Sequence, residues 1–401
     1  MLTLDNVYHA RYVLKDAIRQ TDLLHSSTLS KMCGCNIYLK TENLQTTGSF
    51  KVRGAYYKIS KLTDEEKSKG VIACSAGNHA QGVALASKRF GIKSIICMPD
   101  GAPISKVEAT RGYGAEVVLV PGVYDDAHNE AERLREKYGY TFIHPFDDED
   151  VICGQGTIGL EILEQLKDVD VIVSPVGGGG LISGLAFAVK QLNPKIRVYG
   201  VQSAGAASMV NSLEQKKIIT LPSVSTVADG IAVKEPGKIT FETCSKYVDD
   251  IVTVTDDEVS MAILTLIERK KMVAEGAGAV AVAAALFNKI PDVEGKNVVC
   301  LVSGGNIDVT ILSRVINRGL LMSGRQCSLK LELMDKPGQL GRVIEIVGKC
   351  GANITNVIHE RAKGVTSINA CFLKLQIETK DFDHIQHIHD ALADAGFKMI
   401  D

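Results

Sequence analysis

The sequence predicts an α/β protein built on open, mostly parallel sheets, followed by a separate C-terminal ferredoxin-like βαββαβ domain. Three observations predict it. Short apolar runs alternate with helix-like segments from Asn36 to Asn306, as in βαβ units around a buried parallel sheet. Glycine-containing loops directly follow several of those runs. Beyond about Arg318 the pattern becomes strand-helix-strand-strand-helix-strand within about 75 residues.

The elements follow in order. The apolar stretch Cys35 to Leu39 leads into Ser49-Phe50-Lys51-Val52-Arg53-Gly54-Ala55, and the helix-like Val52 to Leu62 comes next. Val71 to Cys74 reads as a buried strand that opens into a helix. Ser94 to Pro99 is a strand, Ser105 to Tyr113 a helix, and Glu116 to Pro121 a strand. Asp126 to Tyr138 is an amphipathic helix closed by Gly139. Thr141 to Pro145, the helix Gly156 to Leu166, the strand Asp170 to Val176 and the helix Leu181 to Leu192 continue the alternation. Ala274 to Phe287 is alanine-rich and too short to span a bilayer, so it is expected as a buried helix. Val298 to Val302 is the last strand of this series. Leu320 to Gln326 is a polar break, and 321–326 is expected as a linker. Cys327 to Met334, Asn353 to Ala362, Ala370 to Glu378 and Phe397 to Ile400 are the final strands, with Leu340 to Cys350 and Phe382 to Ala395 as helices.

Bulk properties exclude several classes of function. The 401 residues are 45% hydrophobic and 23% charged, ordinary for a globular protein. A formal net charge of −2 gives no field to recruit nucleic acid or an anionic membrane. The N-terminus scatters charge through its first residues and has no secretion-signal core. Several of the ten cysteines (Cys74, Cys97, Cys300, Cys371) lie in strand-like runs, where a thiol packs as a small hydrophobe. Cys33 and Cys35 form only a C-x-C pair, and no paired CxxC or HExxH spacing appears. Reduced thiols, no metal site and a cytoplasmic protein are therefore expected.

Four loops carry the chemistry. Lys51 lies between Gly48 and Gly54, a setting that suits covalent work better than a solvated face. Ser75-Ala76-Gly77-Asn78-His79, Gly177-Gly178-Gly179-Gly180-Leu181 and Ser303-Gly304-Gly305-Asn306 each follow a strand. In open sheets, ligands bind beyond the carboxyl ends of strands, so these loops can converge on one site. Four glycines opening a helix make a phosphate cradle, because bare backbone N–H groups and the helix dipole meet an anion there. The alternative is a tight turn that permits close packing. A lysine, a phosphate cradle and no metal site together point to pyridoxal 5'-phosphate.

The motifs then become specific. Ser49 to Ala55 resembles the cofactor-lysine motif of the serine/threonine dehydratases, in the tryptophan-synthase-β-like class of pyridoxal-phosphate enzymes. Ser75 to Gly82 resembles that family's substrate-carboxylate loop, and Met98-Pro99, Ala102-Pro103 and Lys106 the segment after it. Gly177 to Leu181 is similar to its phosphate loop, and Ser303 to Asn306 to the loop facing the pyridine nitrogen. Cys327 to Asp401, with Asp335-Lys336-Pro337-Gly338-Gln339-Leu340 and Gly351-Ala352-Asn353-Ile354, resembles an ACT regulatory domain. Within the family the likeness is greatest to threonine ammonia-lyases. It implies a two-lobed catalytic domain over 1–320, its smaller lobe at roughly 52–150, and a regulatory domain over 327–401.

The resemblance also implies roles. Lys51 would bind pyridoxal phosphate covalently and later remove the Cα proton of the substrate. Phe50 would pack on the ring, Asn78 would bond the 3′-oxygen, Gly177 to Leu181 would hold the phosphate, and Ser303 would face the pyridine nitrogen. Ser75, Ala76, Gly77, Asn78 and His79 would hold the substrate carboxylate. The implied reaction converts L-threonine to 2-oxobutanoate and ammonia, with L-serine as a side substrate. Asp335, Pro337, Gly338 and Leu340 would meet an amino-acid effector, isoleucine being the natural guess, in a homodimer or homotetramer.

Simpler readings stand beside these. His79 reads as a satisfied buried histidine with no proton to move. Glu275 either lines the site or caps a helix, and Asp229-Gly230 reads as a turn, with a part in binding a structural cation as the alternative. Serine dehydratase, serine racemase and β-replacement synthase are the competing activities, although Ala76 stands where serine racemases carry a second serine. A non-catalytic amino-acid sensor would have no use for the Lys51 motif.

Overall fold

The computed structural model describes residues 2–361 and 369–400. The chain divides into two compact units, Met1–Leu312 and Ser313–Asp401. That division falls inside the helix Val309–Met322, so no linker spans 321–326. The polar break is the stop of this helix: Ser323 Oγ donates to Gly319 O at 2.9 Å, and Gly324 turns the chain at φ 68°. A left-handed glycine there frees the chain to begin a strand at Gln326.

The first unit holds two sheets. The larger runs, in spatial order, Leu23–His25, Asn36–Lys40, Asn297–Leu301, Val171–Pro175, Arg197–Ser203 and Asp250–Val254. All its pairings are parallel except that of the edge strand Leu23–His25. The smaller sheet, Glu116–Val120, Ser94–Pro99, Val71–Cys74 and Thr141–Phe142, is parallel throughout. Val71–Cys74 and Val171–Pro175 are buried at every position, as strands covered on both faces must be. The second unit is a four-stranded antiparallel sheet in the order Asn353–Glu360, Ala370–Glu378, Gln326–Met334, Lys398–Met399, with helices Gln339–Lys349 and Phe382–Asp394. Leu329, Leu331, Leu373, Leu375 and Ile377 alternate inward along its strands and close its core with Val343, Val347 and Ile388. The mostly parallel α/β class with a small ferredoxin-like appendage is thus the observed fold.

Differences from the sequence reading are local. The strand expected over Thr141 to Pro145 stops at Phe142, because His144 Nδ1 accepts from the N–H groups of Phe146 and Asp147 and turns the chain. The helix expected from Gly156 begins at Glu149, capped by Asp148, whose Oδ1 accepts from Asp150 N and Val151 N. Three glycines inside it mislead propensity, yet they allow helices to touch. A Cβ at Gly154 would lie 2.6 Å from Gly54 Cα, and one at Gly156 would lie 2.9 Å from Gly184 O. The last expected strand shrinks to Lys398–Met399. Asn353–Glu360 ends short of Ala362, which lies outside the described residues.

Under the helix Lys51–Ser60 sits a buried set of charges. Arg53 bonds Glu42 at 2.8 Å and Glu161 at 2.6 Å, and Lys40 bonds Glu161 at 2.6 Å. Two acids balance two bases, so the group is neutral where an unpaired charge would be expensive. It ties the first turn of the lysine helix to the helix Glu149–Gln165 and to the strand Asn36–Lys40. All ten cysteines are free thiols. Among the described residues no helix is long and apolar enough to cross a membrane.

Candidate active site

The lysine is fixed by pairing between two loops. Ser49 bridges Gly304, Phe50 N–H donates to Ser303 O at 3.1 Å, and Gly305 N–H donates to Gly48 O at 2.9 Å. Gly48 permits this approach at φ 72°, and a Cβ there would strike the Asn306 side chain at 2.3 Å. Lys51 then begins its helix with its side chain in a cavity of about 780 Å³. Its Nζ donates to Pro145 O at 2.9 Å and stands 5.4 Å from the centre of the Phe50 ring. Burial pulls its pKa down to about 8, against the upward pull of Glu275. Neutral amine is therefore accessible near pH 8.

The same cavity is lined by Ser75 to His79, Gly177 to Leu181 and Ser303, so the three other loops do converge on Lys51. Ser303 is buried just past the strand Asn297–Leu301, and its hydroxyl donates to Ala277 O at 3.3 Å. Asn78 opens the helix Asn78–Phe90; its Nδ2 donates to Glu275 Oε1 at 2.6 Å and its Oδ1 accepts from Asn306 Nδ2 at 2.8 Å. Not every backbone amide of the Ser75–His79 loop is available to a ligand. Ser75 N–H donates to Cys97 O and Gly77 N–H to Ser75 Oγ. Helix geometry leaves the amides of Asn78 and His79 without intrahelical acceptors. Ala76 packs on the smaller core. His79 is buried, donating from Nε2 to Ile143 O at 2.8 Å, and burial with the Lys51 charge pushes its pKa down to about 3. It stays neutral, but it is not the fully satisfied histidine expected: among the described residues its buried Nδ1 has no hydrogen-bond partner.

Close packing explains much of the glycine run. A Cβ at Gly178 would meet the Phe146 ring at 2.4 Å, one at Gly179 the side chains of Met209 and Thr240 at 2.7 Å, and one at Gly180 Phe146 O at 2.7 Å. Gly179 is also left-handed, at φ 100°. The run nonetheless lies in the cavity wall and opens the thirteen-residue helix Gly180–Leu192, where the dipole favours an anion. Both readings of the run are satisfied by one arrangement. Leu181 and Phe50 belong to the core behind it.

Glu275 resolves in favour of the site. It stands at the start of the helix Gly276–Leu286 without capping it, and its carboxylate turns to Asn78. Burial, and then the Asp229 carboxylate, push its pKa up to about 7. Asp229 lies in a 3-10 turn, and the cation beside it is the Lys106 ammonium at 2.7 Å. A second ion pair, Lys234 to Asp125 at 3.3 Å, joins residues of the same cavity wall. Sequence reasoning missed Pro145 and Phe146, which receive Lys51 and fill against the glycines; nothing in their types signals either contact. Asp335, Pro337 and Gly338 are exposed and Leu340 is half-buried, on the turn and helix start after the strand Gln326–Met334 of the second unit.

A lysine in a pocket, a glycine-opened helix and a hydroxyl on an adjoining strand-end loop form a donor set that fits pyridoxal phosphate. The sequence pattern of pyridoxal-phosphate dependent enzymes matches residues 14–304. The chain belongs to that family. An L-threonine ammonia-lyase of Thermotoga maritima is 50% identical over 399 residues, 100% of this chain and 99% of the relative. The catabolic L-threonine dehydratase TdcB of Escherichia coli K12 is 48% identical over 315 residues, 78% of this chain and 96% of that protein. Among solved structures, maize serine racemase superposes with a TM-score of 0.75 at 37% identity, over 80% of this chain and 98% of its own. Processed threonine deaminase isoform 2 of Solanum lycopersicum gives 0.74 at 41% identity, over 79% and 89%. The chain is thus a pyridoxal-phosphate enzyme.

Proposed function

We propose that the chain is an L-threonine ammonia-lyase, removing water from L-threonine and hydrolysing the product to 2-oxobutanoate and ammonia, with L-serine as a side substrate. The observation that carries the reading is the convergence of Lys51, the Ser75–His79 loop and Ser303 on one cavity. The end-to-end identity with a threonine ammonia-lyase supports the choice of substrate.

Lys51, Phe50, Asn78, Gly177 to Gly180, Leu181 and Ser303 would hold the cofactor, which supplies a sink for the electrons left at Cα. Lys51, with its pKa near 8, takes the Cα proton as a neutral amine. Ser75 Oγ and the helix-start amides of Asn78 and His79 hold the substrate carboxylate, with Ala76 and Gly77 shaping the loop. Glu275 orients Asn78 through the 2.6 Å bond, and Asn306 locks the amide's other end. Ser303 would offer the pyridine nitrogen a hydroxyl in place of a carboxylate, and such a group would not hold that nitrogen protonated.

Serine racemisation is the second reading, raised by the likeness to maize serine racemase. Ala76 argues against it, because a hydrocarbon offers no proton to the face opposite Lys51. The second unit reads as an ACT domain that senses an amino acid through Asp335, Pro337, Gly338 and Leu340, in a cytoplasmic homodimer or homotetramer. Its β-α-β-β-α-β order supports that reading. Purified, cofactor-loaded protein given L-serine separates the activities: pyruvate release supports the lyase, while D-serine without pyruvate would sink it.

A further inference from the structure

We infer that the second unit carries a binding site for a soft divalent cation of the zinc class, formed by Asp335, His359 and Cys371. Their ligand atoms all lie within 4.8 Å of one another. Three elements deliver them. Asp335 directly follows the strand Gln326–Met334, Cys371 is the second residue of Ala370–Glu378, and His359 lies on Asn353–Glu360. Register explains the meeting. Leu333 pairs with Cys371 and His359 pairs with Leu373, so Cys371, Leu373 and His359 share one face of the sheet.

Cys371 ends an otherwise aliphatic buried row that continues through Leu373, Leu375 and Ile377. Its Sγ sits 3.1 Å from His359 Nε2, with a further contact of 3.5 Å to Leu333 O. His359 and Asp335 are exposed, so the inner thiol is reached through two groups open to solution. Arg361 steadies the carboxylate: its Nε bonds Asp335 Oδ2 at 2.9 Å, and Nη2 makes a long 3.4 Å contact to Oδ1. Hydrogen-bonded carboxylate ligands of this kind are usual around bound metals.

The donor set selects the ion. One thiolate, one imidazole and one carboxylate suit zinc, whereas magnesium and calcium want oxygen alone. Metal–ligand bonds of 2.0–2.3 Å in a tetrahedron put neighbouring ligand atoms about 3.3–3.8 Å apart. Cys371 Sγ and His359 Nε2 already stand 3.1 Å apart, and with all three ligand atoms within 4.8 Å the trio needs to close by about 1 Å at most to reach that range. Three protein ligands leave a fourth position for water or another small ligand. On binding, the Cys371 thiol gives up its proton to solvent and the metal takes the sulfur lone pair; no redox change is involved.

The test uses metal-free full-length protein, titrated with Co²⁺ alone and followed as a difference spectrum. Sulfur-to-cobalt charge-transfer absorption should rise to a plateau near one equivalent and vanish on adding Zn²⁺. It should persist in the Cys33→Ser/Cys35→Ser double variant and disappear in Cys371→Ser. Because Cys371 is a core residue, the exposed His359→Ala and Asp335→Asn variants provide the second reading. Each should weaken Co²⁺ binding by at least the roughly 10–100-fold that loss of a supporting outer-shell group costs. Absence of the band at one equivalent, its survival in Cys371→Ser, or unchanged affinity in His359→Ala would each overturn the site. Asp335 also belongs to the loop assigned to an amino-acid effector, and Co²⁺ without amino acid isolates the metal from that assignment.

Discussion

At the scale of single residues, burial sets the two titrations that matter. Lys51 is brought down to about 8, so an amine-directed acylating reagent should label it in cofactor-free protein with a midpoint near pH 8. Labelling that rises only toward 10.5, the ordinary lysine value, would remove it as a neutral base at working pH. Glu275 is raised to about 7, above its unfolded value of 4.5. Between those values the folded state holds more protons than the unfolded one, so this group costs stability as pH climbs through the window. Glu275→Gln should therefore gain on the wild type from pH 4.5 to 7, by an order of 3 kcal/mol at most. Denaturant melts across that range check it; a constant difference would mean that Glu275 is not held protonated. Lys51 and Ser303 were legible because each directly follows or precedes a recognisable strand-loop pattern. Pro145 was not, since its contribution is a backbone carbonyl that any residue type would supply.

At the scale of elements, close approach and buried charge position the lysine. The helices Lys51–Ser60, Glu149–Gln165 and Gly180–Leu192 meet at glycines where a methyl group would collide. Gly178→Ala places its Cβ 2.4–2.5 Å from three atoms of the Phe146 ring. It should destabilise the protein by about 1–3 kcal/mol as an overpacked site and weaken cofactor retention. Equilibrium unfolding together with cofactor release on gel filtration would show both, and a neutral outcome would mean that Phe146 is free to move. Arg53→Ala strands Glu42 and Glu161 without their shared guanidinium, so a loss of about 3–5 kcal/mol is expected. A cost under 1 kcal/mol would show that water reaches the cluster. Helix and strand identities were readable from alternation, whereas the start of Glu149–Gln165 was not. Glycines are poor helix formers alone, and only the neighbouring helices justify them.

At the scale of the whole molecule, the sequence conveyed class and order because buried parallel strands and an antiparallel appendage have different periodicities. The division between units was harder to place. A polar Ser-Gly-Arg stretch looks like a linker, yet it terminates a helix that began at Val309. The Asp335, His359 and Cys371 trio was invisible to spacing rules, which find ligands in short motifs, whereas these three come from strands paired in space. If the second unit senses isoleucine, the 2-oxo acid rate should fall when isoleucine is added, and the Leu340→Ala variant should blunt that response. An unchanged rate would send the search to other amino acids.

The central claim, that Lys51 serves a pyridoxal-phosphate threonine ammonia-lyase, is tested most directly by 2-oxobutanoate release from L-threonine. Cofactor-loaded wild type and Lys51→Ala should be compared in parallel. The wild type should release 2-oxobutanoate steadily and Lys51→Ala at least about a thousandfold more slowly, as removal of both the covalent anchor and the base entails. Release by Lys51→Ala at the wild-type rate, or none from the wild type, would contradict that claim.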